Sequence, residues 1–162
     1  MVFLFYAIDI AASATLAAIA ALHLYWAAGG LWPARSARQL IDTVIGNPRR
    51  DKMPPAWITA IAGIALAGTA LLPLAIAPVS WSLIYTLNLP LSVLGGSFGA
   101  TFLAGLAFLA RGIVGYLPFW RRLHPAEPFA SLDVRLYSPL CLVLGLAFLL
   151  LDFVAVLVLA TI

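Results

Sequence analysis

Residues 139–159 read PLCLVLGLAFLLLDFVAVLVL, an apolar run whose single charged side chain is Asp152. About 20 apolar residues are enough to cross the ~30 Å hydrocarbon core of a bilayer, so the stretch reads as a transmembrane helix. Pro139 suits its first turn, where a missing N–H is harmless. Three further runs have the same character: 3–28, ending at Gly29-Gly30; 56–77, opened by Pro54-Pro55 and closed by Pro78; and 82–110, with Pro90 as a bend.

The composition agrees. Hydrophobic residues make up 64% of the 162-residue chain and charged residues 9%, whereas a soluble domain is typically about half apolar and about a quarter charged. So few charges cannot cover so much apolar surface in water. The expected fold is all-α: an integral-membrane four-helix bundle forming one domain over 1–162, with short interfacial helices in its cytoplasmic loops.

All nine basic residues fall in two connections. Arg35, Arg38, Arg49, Arg50 and Lys52 lie in 29–55; Arg111, Arg121, Arg122 and Arg135 lie in 111–138. Short loops rich in Lys and Arg stay in the cytoplasm. An even number of spans then places both termini on the outer side of the membrane. The basic residues are expected to meet anionic headgroups at the inner leaflet, and no nucleic-acid module is present. The apolar N-terminus lacks a basic leader and carries Asp9, which predicts a retained helix and not a cleaved signal.

Within the first loop, Ala37, Leu40, Ile41, Val44 and Ile45 follow the i, i+3, i+4, i+7, i+8 spacing of an amphipathic helix. Pro33 opens it, Gly46 closes it, and its apolar stripe is expected to lie on the membrane surface. The second loop is rich in Pro and aromatic residues and is expected to hug the headgroup region. Gly95, Gly99 and Leu103 share a stripe of the third span, and Gly63 and Ala67 share one on the second. Such stripes predict close helix packing.

Several polar residues require explanation. Asp9 and Asp152 lie in the outer halves of their spans, where a charged carboxylate costs on the order of 3 kcal/mol. Asn88 is a polar residue at similar depth. His23 shares a helix face with Asp9 and Ser13 but sits about 21 Å from Asp9 along the axis. Tyr25, Trp26 and Trp32 follow His23, while the second loop adds Trp120, His124, Glu127, Asp133 and Tyr137 among its arginines. These groups could line a pocket at the inner headgroup level, as acid–base candidates (His23, His124, Glu127) or as a ligand-binding surface (His23, Tyr25, Trp26, Trp32, Arg111, Trp120, Arg121, Arg122, Asp133, Tyr137). No cofactor is implied. A metal site is not expected, because no ligand pair has diagnostic spacing, and Cys141 alone excludes an internal disulfide.

Two segments taken together, HLYWAAGGLWP at 23–33 and RGIVGYLPFWRRLHPAEPFASLDVRLYSPLCLVLGLAFLLL at 111–151, resemble bacterial integral membrane proteins grouped as domain of unknown function 3995. The resemblance covers nearly the whole chain. Its more specific part is His-x-Tyr-Trp-x-x-Gly-Gly, from His23 to Gly30. It implies a four-helix inner-membrane protein and carries no activity, substrate or cofactor with it. The role expected is binding of a lipid or small amphiphile, or service as an accessory subunit, through the cytoplasmic-side loops. The alternative is a small membrane enzyme acting on a lipid or isoprenoid-like substrate. A proton-coupled carrier using Asp9 and Asp152 is less favoured, because the spans carry no internal repeat. Expected partners are membrane lipids, a second copy of the chain or a membrane complex.

Overall fold

The computed structural model describes residues 2–77, 86 and 91–160. Within them run α1 (Val2–Ala27), α2 (Ala37–Val44), α3 (Ala56–Ile76), α4 (Leu91–Val114), α5 (Pro118–Leu123), α6 (Phe129–Leu132), a single π-helical turn (Asp133–Tyr137) and α7 (Ser138–Leu159). No strand occurs among the described residues. Four helical stretches are long and apolar enough to cross a membrane: Phe3–Ala27, Ala56–Ile76, Gly95–Val114 and Phe129–Val158. The expected bend at Pro90 and the intramembrane Asn88 lie outside the described residues.

The long helices form two antiparallel pairs. α1 packs on α3, where Leu24 and the Ala20 carbonyl close over Gly63. α4 packs on α7, where Leu149, Leu142 and Leu109 close over Gly105, Gly112 and Gly145 respectively. Two apolar clusters join the pairs. Phe5, Ile76, Ala77, Leu151 and Ala155 meet near the termini, and Ala12, Leu16, Ala70, Leu144 and Phe148 meet at mid-height. Outward-facing Phe3, Trp57, Ile64, Leu103 and Phe153 remain exposed, as lipid-facing positions do. The start of α1 and the end of α7 thus lie at one end of the bundle, and both basic connections lie at the other.

Four expectations change on contact with the fold. First, the Gly95–Gly99 stripe packs on none of the described residues: a side chain added at Gly95, Gly96 or Gly99 would meet none of them within 4 Å. The seam runs instead through Gly105 and Gly112, where α7 supplies leucines to fill the gap. Second, α4 extends past Ala110 to Val114, so Arg111 sits in its last turn and not in a loop.

Third, α2 starts at Ala37. Its opening comes from Ser36, whose hydroxyl accepts the Gln39 N–H at 3.2 Å, and not from Pro33. Its stripe faces protein: Leu40 and Ile41 are each 1% exposed, and α2 contacts α6. Gly46 ends this segment with φ +65°, a left-handed value that favours glycine, and Phe129 lies where a side chain would go. Fourth, the stretch before α7 is helical from Phe129 onward. Pro139 can follow helix without a break because the wide π turn before it absorbs the carbonyl its ring would strike.

Candidate functional site

The strongest concentration of polar contacts lies at the basic end and is centred on Asp133. The π turn carries this carboxylate inward until it is 2% exposed. Arg111 Nη2 donates to Oδ1 at 2.7 Å, Ser138 Oγ donates to the same oxygen at 3.2 Å, and Trp120 Nε1 donates to Oδ2 at 2.9 Å. Arg111 also reaches Ser138 Oγ at 3.4 Å and lies over the Trp120 ring, 4.8 Å from its centroid. Gly115 lets α4 approach this group, since a side chain there would overlap Ser138 Oγ. The carboxylate is buried while the guanidinium stays about one-third exposed, at 32%; three donors thus hold Asp133, and an aromatic face covers its partner.

Beside this hub lies a cavity of about 490 Å³, between α1, α4 and α7 and capped by Val44, Phe129 and Tyr137. Its walls are largely apolar: Leu16, Ile19 and Leu22 from α1, Leu66 from α3, Phe108 from α4, and Leu140 and Leu144 from α7. Its polar lining consists of His23, Trp26, Arg111, Tyr137 and Cys141. His23 Nδ1 lies 2.8 Å from the Ile19 carbonyl, which can only accept, so this nitrogen carries the proton. Trp26 donates to the Trp32 carbonyl at 2.7 Å, and Tyr137 donates to the Thr43 carbonyl at 3.2 Å.

The structure brings together some of the residues singled out from sequence and separates others. His23, Trp26, Arg111 and Tyr137 share the cavity, with Asp133 and Trp120 behind Arg111. Tyr25 folds over Gly30, and Trp32 is exposed and serves through its carbonyl. Arg121 and Arg122 are exposed on α5. His124 stacks on Trp120 at 4.0 Å and bonds to its carbonyl at 3.1 Å. Glu127 accepts from the Ser131 hydroxyl at 2.9 Å and N–H at 3.2 Å. Neither His124 nor Glu127 lines the cavity with His23. Among the described residues no group of three side chains could hold a metal ion.

Sequence reasoning passed over Ser138, Phe108 and the cavity-facing role of Cys141. Ser138 directly precedes Pro139 and lies five residues from Asp133, a signal visible only once the π turn is known. At the opposite end Asp9 is 1% exposed, yet its Oδ1 has no hydrogen-bond partner among the described residues, and neither do Ser13 Oγ and Asp152 Oδ1.

Comparison with known proteins gives a family. The model of a protein family of unknown function (DUF3995) matches residues 16–148, and the chain belongs to that family. No curated protein and no solved structure matches it. The matched region contains the cavity walls from Leu16 to Leu144 together with the whole Asp133 hub.

Proposed function

We propose that the chain is a bacterial inner-membrane protein, both termini outside, that holds one lipid-like amphiphile in the cavity between its helix pairs. The carrying observation is the cavity's polarity. Leu16, Leu66, Phe108 and Leu144 offer a sleeve for a hydrocarbon chain, and His23, Arg111 and Tyr137 gather polar atoms for a headgroup. Ligand sites of about 300–1,000 Å³ with few polar groups on apolar walls are the usual form for small amphiphiles. The placement of all basic residues toward one end supports the orientation, with that end in the cytoplasm. There Arg121 and Arg122 on α5 would meet anionic headgroups.

Filling the sleeve tests the proposal. Protein purified from its native membrane should carry a chain-bearing small molecule, enriched over bulk lipid and detected by mass spectrometry. Leu140→Trp should remove that species while leaving the melting temperature nearly unchanged. An identical lipid profile for both proteins would sink the proposal. A phosphatase fused to either terminus should be active, since it folds only outside the cytoplasm.

A further inference from the structure

The headgroup end of the cavity has a distinct electrostatic character. Its one cationic lining residue, Arg111, is already neutralised by Asp133 at 2.7 Å. An anionic head would have to compete with a buried carboxylate that also holds Trp120 and Ser138. Bringing a phosphate or carboxylate beside Asp133 places like charges together in a low dielectric, which disfavours the arrangement.

His23 points the same way. With its proton committed from Nδ1 to the Ile19 carbonyl, a neutral ring presents Nε2 as an acceptor. Among the described residues, no hydrogen bond reaches that nitrogen. An acceptor of this kind calls for a ligand that donates, and deprotonated acids have no proton to give. The guanidinium of Arg111 has N–H groups beyond those used on Asp133 and Ser138, so the same ligand oxygen can accept there.

We propose that the cavity selects an uncharged, hydroxyl-headed chain, a long-chain or isoprenoid alcohol, over its phosphate or carboxylate counterparts. The hydroxyl donates to His23 Nε2 and accepts from Arg111. This rests on the amphiphile reading above and names its ligand class.

Cys141 supplies the readout, because it is the only cysteine and lines the cavity. The protein in phosphatidylcholine nanodiscs is alkylated with a membrane-permeant maleimide, and the rate is followed by mass spectrometry. The probes are farnesol, 1-dodecanol, dodecanoate and dodecyl phosphate at matched mole fractions. At least one alcohol should slow alkylation at roughly tenfold lower mole fraction than either anion; the two alcohols distinguish an isoprenoid from a straight chain.

His23→Phe keeps an apolar ring and removes the acceptor. It should raise the alcohol required by about fivefold, the scale of one neutral hydrogen bond, and leave the anions unchanged. His23→Gln restores an acceptor and should recover part of the preference, which also guards against a folding defect in the first variant. Equal or better protection by dodecyl phosphate or dodecanoate would overturn the hydroxyl assignment and leave the amphiphile site standing. Protection by none of the four would remove both.

Discussion

Asp133 and Asp9 are the same residue type at nearly the same burial, 2% and 1% exposed, at opposite ends of one bundle. Asp133 has a guanidinium, an indole and a hydroxyl arranged around it. Asp9 Oδ1 has no partner among the described residues, and Asp152 Oδ1 on the neighbouring helix has none either. The contrast shows that burial alone says little about a carboxylate in a membrane protein. What matters is whether the chain brings donors to it. At the basic end the chain spends an ion pair, a π turn and a glycine on one carboxylate, and the result is a rigid wall for the neighbouring cavity.

Substitutions can break this comparison. The largest effect is expected from Asp133→Ala, which strands Arg111 without its buried partner and should cost about 3–5 kcal/mol in denaturant unfolding from micelles. Replacing both partners, Asp133→Leu with Arg111→Met, should recover at least half of that loss, because no charge is then left unpaired. Gly46→Ala comes next. An L-residue at φ +65° is strained by about 1–2 kcal/mol, and Phe129 must also move, so a thermal melt should fall visibly.

Trp120→Phe keeps a ring over Arg111 but deletes the N–H that reaches Asp133, for about 1–2 kcal/mol. Tryptophan emission should fall, since one of five indoles is lost, without a change in helical circular dichroism. The smallest effect belongs to Asp9→Asn, which should change stability by less than about 1 kcal/mol or raise it, since no ion pair to Asp9 occurs among the described residues. A loss above about 3 kcal/mol would show that Asp9 is paired after all, and the contrast between the two ends would collapse.

Much of this architecture could be read from the chain itself. Spans expected at 56–77 and 139–159 are helices Ala56–Ile76 and Ser138–Leu159, because a long apolar run leaves the backbone no other way to satisfy its polar groups in lipid. The Gly95–Gly99 stripe misled for a different reason. Small residues permit a close approach, but the choice of seam depends on which partner has leucines to fill it, and those leucines lie on α7. The region 111–138 misled because its prolines and aromatic residues read as a loop, whereas the chain is helical from Phe129. Pro128 sits just before α6, and Pro139 follows a widened turn. Of the site, His23, Trp26, Arg111 and Tyr137 were visible as residue types in or beside the two basic connections. Their convergence was not, because Arg111 and Asp133 are 22 residues apart and meet only when α4 and α7 pair.

The π turn at Asp133–Tyr137 also acts as a phase adjuster. A regular helix advances about 100° per residue, so the wider turn lets Phe129 and Asp133 address α2 and Arg111 while Leu144 and Phe148, farther along the same rod, address α1. Deleting one residue there would produce a smoother helix and a worse protein: either the carboxylate or the aromatic core could find its partner, never both. The chain should therefore tolerate conservative exchanges within this turn far better than any change in its length.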